Sequence, residues 1–162
     1  YDVMMLYDRR PIMQQKSHKA WKLFGELSEK NYNRGFLMQA KAIRSGVKRI
    51  LRKTIDLGEN TIIEGVHLVP SLYNSIHNAR VFHFLLVANN FQDHKAILSN
   101  KFKRRHHRQE IWSDDKIRHL ERTQSFLLRD AKKNKVVVIQ STNPNKNSKI
   151  ILEYLARKLK ST

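Results

Sequence analysis

The sequence predicts an α/β protein with a parallel sheet flanked by helices, and three observations carry that prediction. Runs at 61–66, 81–88 and 135–140 are β-branched or apolar throughout, the pattern of strands buried on two faces. Stretches whose apolar residues recur at helical spacing alternate with them, which requires crossover connections and parallel strands. The first run also stops at a carboxylate, a glycine and a histidine (Thr61-Ile-Ile-Glu-Gly-Val-His-Leu-Val-Pro70), and the C-terminal ends of strands are where open α/β sheets place their ligand sites.

Element by element, residues 1–16 are mixed, and Pro11 prevents one continuous helix, so a short helix or loop is expected there. Ser17 is suited to cap a helix over Lys19-Ala-Trp-Lys-Leu-Phe24. Phe36, Ala40, Ile43, Val47, Ile50, Leu51 and Thr54 fall on one stripe, predicting a long amphipathic helix over about 34–57, with Gly58 at its C-terminal cap. A strand at 61–66 follows, then the second strand in 81–88 and a basic helix or loop over about 91–108. Ile117, Leu120, Gln124, Leu127, Leu128 and Ala131 mark a helix near 114–133, stopped at Asn134. The strand at 135–140 and a turn at Asn143-Pro-Asn145 lead to a final helix carrying Ile150, Ile151, Tyr154, Leu155 and Leu159, with a basic tail from about 156 to 162. A length of 162 residues suggests a single domain. Three strands leave helix faces uncovered, so the missing strand or strands are expected upstream of Tyr1 or in a partner.

Composition narrows the function classes. The chain carries 32 Lys+Arg against 14 Asp+Glu, a formal net charge of +18, and such self-repulsion favours an anionic partner, most often nucleic acid. The absence of cysteine excludes disulfides, thiol catalysis and thiolate metal sites. No apolar run approaches the roughly 20 residues needed to cross a bilayer. A start at Tyr1 suggests a processed or trimmed chain, and nothing there reads as a signal peptide. His18, His67, His77, His83, His94, His106, His107 and His119 form no H-E-x-x-H pattern, so no metal site is expected. Trp21, Trp112, Tyr32 and Tyr73 are isolated and read as core or interface anchors ahead of base-stacking platforms.

Ile62-Ile-Glu-Gly-Val-His-Leu-Val-Pro70, preceded by a long helix and followed by an apolar strand, resembles the 2-phosphoglycerate kinase group of P-loop kinases. Ser17-His-Lys-Ala-Trp21 is similar to that group's Ser-Ser-Tyr-x-Ala-Trp segment. Asp93-His94 before an arginine-rich stretch, Ile117-Arg118, Arg122-Thr-Gln124, Ala131 and a Val-Val-Ile strand with a following Asn keep the family order, so the resemblance covers about 15 to 155. It implies a P-loop-kinase-like fold whose N-terminal strand and phosphate loop are missing or degenerate. The G-x-x-x-x-G-K-[ST] loop that cradles phosphates does not occur, and Asp2-Val-Met-Met5 has methionine where the family's Asp-x-Ile-Arg has arginine.

Two readings compete. The first is a structural RNA-binding component of a large ribonucleoprotein, a mitochondrial ribosomal protein and pseudoenzyme, with no cofactor, no membrane and no catalytic residue, bound to rRNA backbone and to neighbouring proteins; a cytoplasmic location is the alternative. Its RNA contacts are Lys41, Arg44, Lys48, Arg49, Arg52 and Lys53 on the long helix, Lys101, Lys103, Arg104, Arg105 and Arg108 in the basic run, and Arg118, Arg122, Arg129 and Lys133 on the later helix. The alternative is a kinase transferring the ATP γ-phosphate to a small phosphorylated acid such as 2-phosphoglycerate, with Mg²⁺ and with Glu64, His67, Arg105 and Arg108 in the site, the two arginines closing as a lid. Glu64 is either a proton acceptor or a relict satisfied by backbone N–H groups. His67 either contacts the substrate or is a hydrogen-bonded structural group.

Overall fold

The computed structural model describes residues 9–73, 76, 79–103, 113–140 and 143–160, apart from the side chains of 100–103. They fall into two compact units, Tyr1–Val81 and Phe82–Thr162.

The first unit is built on one long helix. Helix α1 (Pro11–Gln14) and a 3-10 helix (Ser17–Phe24) precede α2 (Glu29–Asp56), which starts earlier than its apolar stripe because Ser28 caps it, accepting from the Asn31 N–H at 3.2 Å. The α2 C-terminus closes in a Schellman arrangement: the Glu59 N–H donates to Thr54 O (2.9 Å) and the Gly58 N–H to Ile55 O (3.0 Å), with Gly58 at φ 65°. The α2 stripe is the core. Ala42, Ile43 and Val47 bury against Ile12, Met13, Ala20 and Tyr73, with Phe24, Leu51, Ile63, Leu68 and Leu72 packed around them.

The expected strand at 61–66 is not formed; those residues are irregular, and Ile62 is 96% exposed. A β-branched run becomes a strand only where a neighbouring strand takes its backbone hydrogen bonds. Among the described residues no strand pairs with it, and only Ile63 of the run is packed on the core.

The second unit is the α/β part. Strand β1 (Phe84–Val87) leads into α3 (Phe91–Lys103), α4 (Asp114–Lys133), β2 (Val137–Gln140) and α5 (Pro144–Lys160). The strands pair in parallel, with Phe84 opposite Val137 and Val87 opposite Gln140. Mostly helical, with helices around a small parallel sheet, the chain has the α/β class that its periodicity predicts, consistent with the kinase-like fold that the resemblance implies. Ser113 caps α4, with Asp114 and Asp115 in its first turn and Lys132 and Lys133 in its last, the charge order that the helix dipole favours. Ile117, Leu127 and Ala131 bury on this helix, as do Val87 and Ile139 on the strands. The Gln124 side chain closes the end of β1: its Oε1 accepts from the Ala88 N–H (2.9 Å) and its Nε2 donates to Ala88 O (3.0 Å). The basic residues Arg157, Lys158 and Lys160 of the expected tail form the last turn of α5, and earlier on that helix the Tyr154 ring meets Phe84 edge-on at 5.4 Å. Asn143 caps this helix, its Oδ1 accepting from the N–H groups of Asn145 and Lys146, and Pro144 sits at the first position, so the expected turn is a helix start.

Two single substitutions test this packing. A Cβ on Gly35 would lie 2.6 Å from Ala20 C and 2.7 Å from Trp21 N, both backbone atoms that cannot step aside, so Gly35→Ala lowers the unfolding free energy by about 2–3 kcal/mol in urea titration. At the end of α4, Lys135 occupies a left-handed position (φ 54°) within a second Schellman arrangement, the Val136 N–H donating to Ala131 O at 3.0 Å. Lys135→Gly relieves that strain and raises stability by about 0.5–1 kcal/mol.

Candidate functional site

Two side chains of α2 hold the loop that follows it, Phe36 and Arg44, and a third, Gln39, holds the segment before the 3-10 helix. Phe36 stacks on the His67 ring, with centroids 5.1 Å apart and planes 19° from parallel. Gln39, wholly buried, donates from Nε2 to Ile12 O (2.9 Å) and Gln15 O (2.7 Å), which fixes the segment leading into the 3-10 helix. Arg44 donates from Nε to Leu72 O (2.7 Å), which fixes the far end of the loop. Between these anchors Val69 and Pro70 are buried, and the Leu68 N–H donates to Gly65 O at 3.1 Å, making the turn that presents residues 65–68.

His67 is the centre of this arrangement. Ser17 Oγ and His67 Nε2 share a hydrogen bond of 3.3 Å, so the first residue of the 3-10 helix and the loop meet through one imidazole. The residue is 7% exposed, and burial pushes its pKa down to about 4, because the charged imidazolium loses hydration there. At neutral pH the ring is therefore uncharged, and it acts on this loop through hydrogen bonding and stacking. Three positions earlier, Glu64 projects an exposed side chain from the same loop. Glu64 and His67 thus share one surface loop but differ in setting, one solvated and one enclosed. Tyr73, at the loop's far end, is buried, which raises its pKa, an effect opposed by the Arg44 charge; its hydroxyl has no hydrogen-bond partner among the described residues.

The other predicted residues are not gathered here. Lys41, Lys48 and Arg52 run along one line of α2, with Arg49 and Lys53 beside them; all but the half-buried Lys48 are exposed. Arg44 is spent partly on the Leu72 carbonyl. In the second unit Arg118, Arg122, Arg129 and Lys133 are exposed on α4. Lys101 and Lys103 lie in α3, their side chains outside the described set, and Arg104, Arg105 and Arg108, with the proposed lid, lie outside the described residues. Among the described residues no group of three or more His, Asp or Glu is placed to hold a metal ion. Of the aromatic candidates, Tyr32 and Tyr73 are buried, and Trp21 donates from Nε1 to His18 O at 3.0 Å.

Sequence reasoning placed Phe36 on the helix stripe without its stacking on His67, and it missed Gly35 and Gln39 as organisers of the elements around the loop. Gln39 carried a usable signal: it stands three residues after Phe36 on an otherwise apolar stripe, and a buried amide demands partners.

A parallel pair of strands connected through helices defines the class as α/β. Comparison with known proteins narrows it. A 2-phosphoglycerate kinase of Pyrococcus horikoshii is 29% identical over 152 residues, 91% of this chain and 49% of that protein. One from Methanopyrus kandleri is 27% identical over 157 residues, 92% of this chain and 47% of that protein. A mevalonate-3-phosphate 5-kinase of Thermoplasma acidophilum is 36% identical over 73 residues, 41% of this chain and 36% of that protein. No family model and no solved structure matches. The chain is 2-phosphoglycerate kinase-like, and it spans about half the length, or less, of the curated relatives it matches.

These relatives correct two expectations. The structural RNA-binding, ribosomal reading is overturned, because the similar proteins are consistently named kinases and none is named for RNA or a ribosome. The expectation of no cofactor falls with it, since kinases as a class move a phosphoryl group from ATP with Mg²⁺. The physical error lay in reading partner class from charge: a net charge of +18 fixes the sign of what the surface attracts and not its chemistry.

The buried imidazole has a measurable consequence. Its folded pKa lies below the unfolded value, so the unfolded chain binds the extra proton: the stability is fully present above about pH 6.5 and is lost as pH falls toward 4. The loss is on the order of 3 kcal/mol. Burial also lowers the pKa of His83 and His119, so the comparison is with His67→Phe, for which the difference in unfolding free energy between pH 7 and pH 4.5 shrinks relative to the parent chain.

Proposed function

We propose that the chain works in phosphoryl transfer to a small phosphorylated acid such as 2-phosphoglycerate, in an enzyme that uses ATP and Mg²⁺. The carrying observation is the set of 2-phosphoglycerate kinases that align across about nine-tenths of the chain. The residues present fit the acceptor and not the nucleotide. No G-x-x-x-x-G-K-[ST] loop occurs in the 162 residues, and the described carboxylates and histidines form no metal-holding group.

On the acceptor side, Glu64 is the group able to reach a bound acid. Its solvated carboxylate accepts the proton of the acceptor hydroxyl as that oxygen becomes a nucleophile. His67 is a positioning residue: neutral, stacked on Phe36 and bonded to Ser17, it fixes the loop from which Glu64 projects. Arg105 and Arg108 supply the charge that such a transfer needs around its phosphoryl oxygens. A kinase acting on a phosphorylated acid handles several negative charges, which also accounts for part of the cationic excess.

Calorimetric titration of the chain with 2-phosphoglycerate tests this. Saturable binding is expected, weakening as salt rises, with glycerate at least about tenfold weaker because it lacks the phosphate charge. Binding of glycerate as tight as that of 2-phosphoglycerate, or no saturation by about 10 mM, contradicts the proposal.

A further inference from the structure

Ser17 does not cap its helix as its place in the sequence suggests. Lys16 stands at the cap position of the 3-10 helix, no side chain caps it, and Ser17 is the first residue inside, so its hydroxyl is not spent on the helix end. Among the described residues that hydroxyl has one partner, His67 Nε2 at 3.3 Å. A hydroxyl has one hydrogen to give and two lone pairs to fill, so a single bond leaves capacity over. Of the pair, His67 is buried and Ser17 half-buried, which makes Ser17 the member that a ligand reaches.

The surrounding charge has one sign. Three residues per turn set the rows of a 3-10 helix, so Ser17 and Ala20 share the row that meets α2, where Ala20 is buried against Gly35. Lys19 and Lys22 share a different row, about 6 Å apart along the axis, and both are exposed. From Lys16 to Lys22 the chain carries three lysines and no carboxylate, so the field at Ser17 is positive. On the loop that His67 anchors, Glu64 stands just before the turn closed by the Leu68 N–H on Gly65 O.

We propose that Ser17 binds the phosphate of the acceptor acid: His67 Nε2–H donates to Ser17 Oγ, the Ser17 hydroxyl donates to a phosphate oxygen, and Lys19 supplies the opposing charge. The inference rests on the phosphoryl-transfer reading above and deepens it, giving the phosphorylated end of the acid a place as Glu64 gives one to its hydroxyl. An uncharged imidazole suits this relay, since it orients the serine hydrogen outward and does not itself draw the anion away from it. A hydrogen bond to an ionised oxygen is roughly twice as strong as one between neutral groups, so one serine donor carries a measurable share of the affinity. A phosphate monoester bears nearly two charges at neutral pH where a carboxylate bears one, and a hydroxyl beside lysine favours the former.

NMR titration of the full chain, which reads weak binding, is made with 2-phosphoglycerate and with glycerate. Ser17→Ala is expected to weaken 2-phosphoglycerate about tenfold and glycerate less than about twofold. Lys19→Gln, at an exposed position, is expected to weaken 2-phosphoglycerate about threefold and to flatten its salt dependence. Thermal melting checks that both variants keep the parent fold. In the complex, the side-chain nitrogen shifts of His67 are expected to place its proton on Nε2. Parent binding that Ser17→Ala leaves intact overturns this inference alone, and so does a proton found on Nδ1. Equal weakening of both ligands overturns it too, by assigning Ser17 to the carboxylate. A parent chain that binds neither ligand overturns the phosphoryl-transfer reading and this inference with it.

Discussion

The first unit depends on one close approach. At Gly35 the α2 backbone comes so near the 3-10 helix that no side chain fits between them. That contact brings Ser17 to the level of Phe36, one turn of helix from Gln39, and places the imidazole of His67 between a hydroxyl on one element and an aromatic face on another. Everything the loop can do follows from this. Gln39 and Arg44 hold its surroundings through main-chain carbonyls and not through side chains that might rearrange. The loop is thus fixed at His67 and at its far end, Leu72, and Glu64 lies on the exposed side of that anchor.

The enclosed histidine also separates two kinds of positive charge. A neutral imidazole contributes geometry, whereas the lysines and arginines along α2 and α4 contribute field. The field is what composition reports, and it is ambiguous: a polyanion, a multiply charged metabolite and an acidic peptide all answer to it. Similarity along the chain is a separate kind of evidence, and the similar proteins that align across most of it are named 2-phosphoglycerate kinases. Where charge and similarity pointed to different functions, the similar proteins overturned the nucleic-acid reading, because a surplus of cations fixes only the sign of a partner.

Much of this was legible in the sequence. The α2 stripe from Phe36 to Val47, the helix carrying Ile117, Leu127 and Ala131, the cap residue Gly58 and the stop at Asn134 are local signals, set by side-chain periodicity and cap chemistry, and the structure has them. The nonapeptide around Glu64 and His67 was likewise visible as chemically equipped. The state of residues 61–66 was not legible, since a strand exists only with a partner, and partnership is not a property of the run itself. Nor was the role of Gly35, for a glycine inside a helix shows nothing of the backbone it faces. The neutrality of His67 follows from burial created by Phe36, Ser17 and the loop together, three segments that local periodicity cannot bring to one place.

The account stands most directly on whether the loop of Glu64 and His67 is where a phosphorylated acid lands. Amide chemical shifts of the labelled chain, followed as 2-phosphoglycerate is added, measure this residue by residue. The account predicts that the largest changes fall on 64–68 and on Ser17 and His18, with the exposed cationic line of Lys41, Lys48 and Arg52 moving little. Changes confined to that cationic line, with 64–68 unmoved, would contradict it.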